Sequence, residues 1–489
     1  MDYCWPHRFD HSYNVALFQN QKMALKFYNT LTRKKQVFKP LHDKRVGLYT
    51  CGPTVYNYAH IGNLRTYIFT DVLQKTLEYN DYKVKRVMNI TNVGHLTSDA
   101  DTGEDKIELE AKKEKRSVWE IAKFYTNSFL KDIKELNIKK PETIVPATKT
   151  IVDQIKIIKI LIGKKYAYET SKAIYFDVVR FKNYNKLSRQ PLSQKITSAR
   201  EEVIEDREKK HPADFALWFK LAGRYKNHSM RWPSPWGLGF PGWHIECSAI
   251  STKYLGQPFD IHTGGVDHIG THHTNEIAQS EAAFGKPLAK FWLHGEFLII
   301  DQSKMAKSEG NFITLDTLKK HDFDPLAFRY LVLTAHYRSK LNFTWESLAS
   351  AQNALNKLRE FAISIKNELK KSSLSKTDFE KYRNKFLSYI NDDLEMPRAL
   401  AILWEVVKSK KLYAKTKYEL IADFDKVLGL NLANVKNEKI PHQIMELAKD
   451  REKYRQEKNF KKADELRKKV ESLDWLIEDT PHGPKLKEK

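Results

Sequence analysis

Residues 48–63 constrain this chain more than any other stretch. The apolar run 46–50 has the pattern of a buried parallel strand, and Gly52-Pro53 ends it. From Leu64 onward the apolar residues recur at helical spacing. A strand, a glycine-containing turn and a helix start form a site for anions, because backbone N–H groups and the positive end of the helix point into the turn.

Three residues in this turn suit it to binding a nucleotide. His60 and Asn63 supply side-chain donors, and Gly62 removes the side chain that would keep a flat ligand away from the backbone. Taken alone, a strand–turn–helix with one histidine and one glycine is more often ordinary packing. The nucleotide interpretation therefore needs support from elsewhere in the chain.

The alternation of strand and helix continues beyond this turn. A second strand is predicted over 84–90 and a helix over 118–136, while the charged run 99–116 has the pattern of a solvated helix face. The alternation is interrupted and then resumes with a strand at 259–262 and a helix over 272–284. This pattern predicts an α/β fold with a Rossmann-type, doubly wound parallel sheet that is split by an α/β insertion.

Changes in pattern along the chain predict its domains. After Pro325 the chain is helical almost throughout, which predicts an α-helical bundle. Met23 is a second possible start, so we expect the residues before it to be a disordered extension. The predicted order is an N-terminal extension (1–22), the first half of the Rossmann domain (23–140), a connective insertion (141–240), the second half (241–300), a loop with linking helices (301–345), a helical bundle (346–435) and a basic C-terminal region (436–489).

Charge and cysteine content narrow the class of protein. The 489 residues include 84 Lys+Arg and 61 Asp+Glu, and the resulting net charge of +23 favours a polyanionic partner, usually nucleic acid. Only three cysteines occur, Cys4, Cys51 and Cys247, which excludes a disulfide framework and fits a reducing cytosol. No apolar run is long enough to span a membrane, and no secretory signal precedes Met23. We therefore expect a cytoplasmic protein without a membrane partner.

Four residues far apart in sequence form a candidate metal site. Cys51 and Cys247 lie at or beside strand ends, and His272 and Glu276 are four apart at the start of a helix, so they share one face. Two thiolates, an imidazole and a carboxylate suit tetrahedral zinc. Separately, each has a plainer interpretation as an exposed helix pair or a buried small side chain. Together they predict a zinc site, because a Rossmann-type fold brings its strand ends to one crevice.

The loop 304–308 is a second cluster with chemical potential. Lys304 and Lys307 flank Met-Ala, and two such ammonium groups suit the binding of a triphosphate. The alternative is an ordinary lysine-rich surface loop.

These stretches resemble a known family. The turn 60–63 (His-Ile-Gly-Asn) and the loop 304–308 (Lys-Met-Ala-Lys-Ser) look like the two signature motifs of class I aminoacyl-tRNA synthetases. Residues 48–63, 241–248 and 272–280 are similar specifically to cysteinyl-tRNA synthetases. The likeness covers nearly the whole chain, and its motifs occur in the family's order.

The resemblance implies activation of L-cysteine by ATP with Mg²⁺, and transfer of the cysteinyl group to the 3′-terminal ribose of tRNA(Cys). Lys304 and Lys307 would steady the pyrophosphate while the cysteine carboxylate attacks the α-phosphorus, a step that needs positioning and charge neutralisation. The implied catalytic residues are His60, Asn63, Lys304 and Lys307. The implied ATP-binding residues are Gly52, Thr54, His60, Gly62, Asn63, Asp267, Lys304 and Lys307.

The resemblance also implies that one zinc ion per chain, bound by Cys51, Cys247, His272 and Glu276, reads the substrate thiolate. A soft metal favours thiolate over hydroxyl, which separates cysteine from serine where a hydrophobic pocket discriminates poorly. Four protein ligands normally close a zinc site, so this role requires a fifth position or a weakly held Glu276. The implied amino-acid pocket residues are Tyr49, Thr91, Trp243 and His262.

The remaining implications concern domains and partners. The resemblance assigns the signature loop to 301–345, tRNA binding to the helical bundle over 346–435, and anticodon binding to 436–489. The implied partners are tRNA(Cys), L-cysteine and ATP, and the implied state is a monomer.

Some positions depart from the family pattern. Asn63 stands where a second histidine is usual, and it cannot carry a positive charge. Ala306 replaces a serine, Thr274 an acidic residue and Phe240 an arginine. None of these changes removes a predicted metal ligand.

Two other functions compete with the synthetase interpretation. A cysteine ligase that makes a small thiol would share the catalytic half but lack an RNA-reading tail, and the long helical and basic region after Pro325 argues against it. A non-catalytic RNA-binding protein on the same scaffold would be expected to have lost Lys307 or a zinc ligand. All of these residues are present.

Overall fold

The computed structural model of this protein describes residues 23–98, 102–192, 208–300, 303–304, 312–366, 368–433, 441–480 and 483–488. The predicted extension 1–22 lies outside the described residues, as do most of the signature loop and the side chain of Lys304. The chain divides after Ala433 into two compact units.

The described part of the chain forms both strands and helices, with the following bounds. The strands in chain order are β1 (Lys26–Asn29), β2 (Lys34–Val37), β3 (Arg45–Thr50), β4 (Lys83–Ile90), β5 (Leu96–Ser98), β6 (Thr102–Asp105), β7 (Thr143–Pro146), β8 (Ala167–Glu169), β9 (Ala173–Phe176), β10 (Phe215–Lys220), β11 (Trp232–Ser234), β12 (Gly237–Pro241), β13 (Phe259–Gly265), β14 (Ala289–Gly295), β15 (Leu298–Ile300), β16 (Ser303–Lys304), β17 (Leu341–Phe343), β18 (Trp475–Thr480) and β19 (Gly483–Glu488). The α-helices in chain order are α1 (Ile61–Tyr79), α2 (Lys106–Glu114), α3 (Val118–Glu135), α4 (Ile151–Gly163), α5 (Trp243–Leu255), α6 (Asp267–Gly270), α7 (His272–Phe284), α8 (Leu315–Lys320), α9 (Pro325–Leu333), α10 (Trp345–Lys366), α11 (Lys376–Ile390), α12 (Met396–Lys408), α13 (Ala414–Leu428), α14 (His442–Gln456) and α15 (Phe460–Glu471).

A five-stranded parallel sheet forms the centre of the first unit. Its strand order is β14-β13-β3-β4-β7, and every neighbouring pair is parallel. Strand β3, the first strand of this sheet along the chain, lies in its middle, where Thr50 pairs with Thr263 on one side and Met88 on the other. The carboxyl ends of these strands form one edge, where open α/β sheets bind ligands. The predicted Rossmann-type sheet is confirmed.

A second, antiparallel sheet interrupts the first. It has the order β11-β12-β10-β9-β8, and the chain enters it after β7 and leaves it at β12, just before α5. This is the α/β insertion that the interrupted pattern predicted. Strand β12 carries the chain directly into α5, so the insertion delivers the segment containing Cys247 back to the central sheet.

The segment 102–116 differs from the prediction of a solvated helix face. Residues Thr102–Asp105 form β6, which pairs with β5, and only then does helix α2 begin, capped by the Asp105 carboxylate. Ile107 and Ala111 are buried, so one face of α2 packs on the core. The expected helix is present and its Lys112 and Lys113 side chains are exposed, but strand β6 and the two buried apolar positions were not expected, because the dense charges of the run masked them.

The chain after the central sheet is mainly helical, as predicted. Helices α8–α13 follow in the first unit. The second unit contains the helix pair α14 and α15 and a β-hairpin of β18 and β19, which the sequence analysis missed. None of the described helices is both long and apolar enough to cross a membrane.

A buried ion pair ties helix α9 to helix α1. Arg329 donates from Nη2 to Asp71 Oδ2 at 2.6 Å and from Nε to the Leu428 carbonyl at 2.7 Å. Both charged side chains are fully buried. Burial alone would raise the pKa of Asp71, but the charges of Arg329 and Lys75 outweigh it, so the pKa lies below its usual value. The helical region is thereby anchored to the first helix of the sheet.

We expect Asp71→Asn to lower the free energy of unfolding of the first unit by about 3 kcal/mol, because it leaves Arg329 charged and buried without its counter-ion. Urea unfolding followed by circular dichroism measures the loss. Since the folded-state pKa of Asp71 is depressed, the wild-type advantage is present at neutral pH and disappears as the pH falls through that pKa. Asp392→Asn, in the exposed pair with Lys35, is the control and should cost less than about 1 kcal/mol. Equal losses in the two variants would contradict the anchoring role.

Candidate active site and metal centre

The turn after β3 is held by close backbone contacts. Gly52 donates its N–H to Asn89 Oδ1 at 2.7 Å, and Asn89 Nδ2 donates to Thr91 Oγ1 at 2.9 Å. A Cβ atom at residue 52 would lie 1.7 Å from the Asn89 carbonyl oxygen, so only glycine fits. This contact explains why the chain turns sharply at the end of β3 and leads toward helix α1.

The start of helix α1 differs from the anion site that the sequence suggested. His60 is the N-cap, and its Nδ1 accepts from the Asn63 N–H at 3.2 Å, while the Asn63 side chain accepts from the His60 N–H at 3.3 Å. The Ile61 N–H donates to the Ile313 carbonyl at 2.9 Å. Two of the first three helical N–H groups are therefore already bonded, and Gly62 supplies the remaining one. A bound anion needs donors from elsewhere.

The segment that follows the signature loop contacts this helix start. Besides the bond from Ile61 to Ile313, a bridge joins His60 to Thr314, and the Phe312 ring lies 5.6 Å from the His60 ring. Lys307 lies outside the described residues, and only the backbone of Lys304, paired with Ile299 in β15–β16, is described. Residues 312–314, which follow the second signature motif in sequence, therefore lie beside the first signature motif at residues 60–63.

The four predicted metal ligands meet at the carboxyl edge of the sheet. One donor atom from each of Cys51, Cys247, His272 and Glu276 lies within 4.8 Å of the other three. Cys51 follows β3, Cys247 is in the second turn of α5, and the other two are in the first turns of α7. All four are buried, and the donor set is one that zinc favours.

The Glu276 carboxylate lies at the centre of this cluster. Its Oε1 lies 3.0 Å from His272 Nε2, and its Oε2 lies 2.9 Å from His262 Nε2. Burial raises the carboxyl pKa, but the two imidazoles more than compensate, and the pKa of Glu276 falls well below its usual range. For His272, burial lowers the pKa, and the charges of Glu276 and Cys247 raise it to about 10.

The two thiols titrate in opposite directions. Burial raises the pKa of Cys51 well above its ordinary value, and the neighbouring Cys247 raises it further. For Cys247, burial also raises the pKa, but the hydrogen bond from Cys51 and the charge of His272 lower it to about 6. The two shifts therefore favour the thiolate form at Cys247 over Cys51.

A second donor set overlaps the first. Cys51 and Glu276 also lie within 4.8 Å of donor atoms of His262 and His273. In this set His273 Nε2 lies 3.3 Å from Cys51 Sγ and its Nδ1 lies 2.8 Å from His294 Nε2, while His262 Nε2 lies 2.9 Å from Glu276 Oε2. These histidines were not predicted as ligands, and they form a buried layer that supports the carboxylate from behind.

A cavity of about 310 Å³ opens in front of the cluster. Its volume is at the lower end of the range for small-molecule sites. The predicted site residues that line it are Cys51, Gly52, Thr54, His60, Asn63, Thr91, Trp243, Asp267 and His272. The metal-ligand candidates and the nucleotide-binding candidates thus share one cavity.

Other predicted residues lie outside the lining. Tyr49, Cys247, His262 and Glu276 are fully buried behind the cavity wall, and Gly62 is not part of the lining either. Tyr49 and His262, predicted for the amino-acid pocket, contact each other with ring centroids 5.0 Å apart. Their placement favours support of the cluster over direct contact with a ligand.

Trp243 separates two parts of the cavity. Its ring stacks on the His95 ring at 4.0 Å and on the His272 ring at 4.2 Å. The Thr91 hydroxyl, another predicted pocket residue, donates to the buried Glu246 carboxylate. The tryptophan therefore forms the wall between the metal cluster and the part of the cavity lined by His95.

Sequence reasoning missed several residues at this site. His95 and Lys106 line the cavity but lie in or beside a charged run that was predicted to be solvated. Asn89, which holds Gly52, gave no signal because it lies inside strand β4 and belongs to no motif. The glycine at position 52 was the available clue, since close backbone approach implies a partner across the sheet.

Two departures from the family pattern have a structural account. Phe240 is fully buried, and its ring stacks on the His228 ring at 3.8 Å, so an aromatic cluster occupies that position. Thr274 donates its hydroxyl to the Ile269 carbonyl at 2.8 Å and closes the turn between α6 and α7. Ala306 lies outside the described residues.

Comparison with known proteins places these features in a family context. Residues 37–353 match the family described as the tRNA synthetases class I (C) catalytic domain. A cysteine–tRNA ligase 1 of Burkholderia lata is 46% identical over 467 residues, which cover 95% of this chain and 97% of that protein. A cysteine–tRNA ligase of Treponema denticola is 42% identical over 485 residues, covering 94% of this chain and 98% of that protein.

Similarity to solved structures supports the fold. Methionyl-tRNA synthetase of Mycobacterium tuberculosis, in complex with methionyl-adenylate, aligns with a TM-score of 0.53 at 13% identity. The alignment covers 79% of this chain and 88% of that one. At this identity the likeness concerns the arrangement of the backbone.

We expect Gly52→Ala to destabilise the protein by about 1–3 kcal/mol and to weaken ATP binding, because the added methyl group clashes with the Asn89 carbonyl. Thermal unfolding and equilibrium dialysis with ATP measure the two effects. Gly163→Ala is the matched control, since nothing lies within 4 Å of the position its Cβ would take. Wild-type stability and ATP affinity in Gly52→Ala would show that the turn tolerates a side chain.

Proposed function

This chain belongs to the cysteinyl-tRNA synthetases of class I, and from that membership we propose how its cavity performs the reaction. The enzyme ligates L-cysteine to tRNA at the expense of ATP. We infer that adenylate formation takes place in the cavity at the carboxyl edge of the sheet. The observation that carries this proposal is that Cys51 and His272 line the same cavity as Thr54, His60 and Asn63.

On the nucleotide side, the chain's own groups position ATP. In this proposal the positive end of helix α1 attracts the phosphates, and the His60–Asn63 capping box fixes the helix start. Asp267 lines the same cavity and suits hydrogen bonding to the ribose. Lys304 and Lys307 are proposed to neutralise the pyrophosphate, with Mg²⁺ carried by ATP.

On the amino-acid side, we propose one zinc ion held by Cys51, Cys247, His272 and Glu276. The donor set supports it, since two sulfurs, one imidazole nitrogen and one carboxylate oxygen lie within 4.8 Å of one another. When bound, zinc supplies a soft Lewis acid that prefers a thiolate to a hydroxyl. Cys51 and His272 line the cavity while Cys247 and Glu276 lie behind it, so the substrate sulfur approaches from the open side.

Positioning of the ligands is the task of the buried histidine layer. His262 holds one oxygen of Glu276, and His294 holds His273 from behind, with Thr30 Oγ1 2.8 Å from His294 Nδ1. Such partners fix the orientation of metal ligands. Because Glu276 already shares its charge with two imidazoles, it is the ligand best suited to bind weakly.

The second substrate is tRNA(Cys). The net charge of +23 favours a polyanion, and the helices after the sheet, together with the basic second unit, are proposed to bind it. Transfer of the cysteinyl group takes place at the 3′-terminal ribose, initially to the 2′-hydroxyl as the class I resemblance implies. A cysteine ligase that makes a small thiol would have no use for these regions.

We expect the purified protein to catalyse ATP–pyrophosphate exchange that depends on cysteine and needs no tRNA. Among a panel of amino acids, serine should support exchange at less than about one-hundredth of the cysteine rate, because it cannot act as a soft ligand. Charging of tRNA(Cys), with glucosaminyl-inositol as the competing acceptor, identifies the second substrate. No exchange in zinc-loaded protein, or transfer only to the small acceptor, would contradict the proposal.

Removal of one thiol tests the metal site. We expect about one zinc per chain in the wild type by atomic emission, and a loss of most of it in Cys247→Ala. Cys4→Ala is the control with an equal change in composition, and it should keep its zinc. Equal zinc content in the two variants would remove Cys247 from the site.

A further inference from the structure

The phosphate side of the cavity is short of donors from helix α1. The N–H groups of Ile61 and Asn63 are hydrogen-bonded within the protein, so of the first three N–H groups of the described helix only that of Gly62 remains for a ligand. Adenylate formation brings together two anions, the triphosphate of ATP and the carboxylate of the amino acid. Donors from another element are therefore needed at the reacting centre.

A chain of three side chains supplies such donors. Lys106 Nζ lies 2.7 Å from His95 Nε2, and His95 Nδ1 lies 2.6 Å from Thr54 Oγ1. All three residues line the cavity. Both distances are those of good hydrogen bonds, so the two bonds fix the imidazole between the ammonium group and the hydroxyl.

The direction of these bonds follows from the chemistry of the groups. An ammonium group has no lone pair and can only donate, so His95 Nε2 must accept. The proton of the neutral imidazole then sits on Nδ1, which donates to Thr54 Oγ1. Since the Thr54 oxygen receives this bond, its own O–H can point to a ligand. The two hydrogen bonds of His95 thus leave the Thr54 hydroxyl as a donor beside the Lys106 ammonium group.

The surrounding fold holds the chain in place. The His95 ring is buried and stacks on Trp243 with an interplanar angle of 8°. Lys106 is the first residue of helix α2, whose N-cap Asp105 accepts from the N–H groups of Ile107 and Gly94. Both ends of the β5–β6 hairpin are thus anchored, and His95 and Lys106 are fixed at its two ends.

We propose that Thr54 and Lys106 bind an oxyanion of the adenylation reaction, and that His95 is the positioning residue that aims both of them. The oxyanion is either a phosphate of ATP or the carboxylate of cysteine, since both offer the same charged acceptor. This inference rests on the proposed function and adds three cooperating residues to it. Thr54 was expected at the ATP site, whereas His95 and Lys106 had no assigned role.

The direct test compares two variants at position 95. His95→Phe keeps a ring on Trp243 but removes both hydrogen bonds, whereas His95→Gln keeps an amide that can accept from Lys106 and donate to Thr54. In ATP–pyrophosphate exchange, His95→Phe should lower kcat/KM at least about tenfold, as expected for loss of aimed donors to a charged group. His95→Gln should recover a substantial part of the loss. Equal activity of His95→Phe and wild type would overturn the proposal.

Paired variants at the other two positions identify the oxyanion. Thr54→Val and Lys106→Met remove the donors, and Thr54→Ser and Lys106→Arg retain them. A rise in KM for ATP, matched by weaker dialysis binding of a non-hydrolysable ATP analogue, assigns the phosphate. A rise in KM for cysteine with unchanged analogue binding assigns the carboxylate. If the donor-removing and donor-retaining variants lose activity equally, the chain is only structural and the proposal fails.

Two controls separate this failure from other causes. Lys112→Met changes an exposed lysine of the same helix, 3.6 Å from Glu104, and should leave exchange unchanged. Zinc content and melting temperature should match those of the wild type in every variant at positions 54, 95 and 106, since none of these three residues is a proposed metal ligand. If the wild type itself shows no cysteine-dependent exchange, the proposed function fails, and the proposal for Thr54, His95 and Lys106 fails with it.

Discussion

Burial of the Glu276 carboxylate is the interaction on which the rest of this site depends. A charged carboxylate away from water is tolerated only with charged or hydrogen-bonded partners. His262 and His272 supply them at 2.9 and 3.0 Å, and the His273 ring lies 4.3 Å from the His262 ring. The same carboxylate lies beside the thiols of Cys51 and Cys247. The groups that stabilise the buried charge therefore belong to the same cluster as the sulfur donors that a metal such as zinc prefers.

The central sheet explains why these residues meet. Because β13, β3 and β4 are adjacent and parallel, the residues that follow them emerge at one edge, and the insertion returns α5 to that edge with Cys247 in its second turn. Trp243, at the start of α5, stacks between His95 and His272 and divides the cavity. One side holds the metal donors, and the other holds the turn and helix start that suit a nucleotide. Residues of both groups nevertheless line one cavity.

Much of this was predictable from the sequence, and the exceptions have physical causes. The apolar run ending at Thr50, and the histidine and carboxylate four apart on one helix, are local patterns, so the sheet and the metal cluster were expected. The hydrogen bonds that link Thr54, His95 and Lys106 were not expected, because these residues are far apart in sequence and belong to no periodic pattern. The helix α1 start was expected to offer unpaired N–H groups, yet its own capping box and Ile313 engage two of them. The C-terminal hairpin was hidden by a highly charged, non-alternating sequence.

The proposed zinc ion gathers two cysteine sulfurs of the protein and the sulfur of the substrate. X-ray absorption at the zinc edge counts sulfur neighbours directly. The zinc-loaded protein should show two sulfurs at about 2.3 Å with lighter ligands beside them, rising to three with cysteine and remaining at two with serine. A spectrum with no sulfur neighbours, or one that cysteine leaves unchanged, would contradict the account.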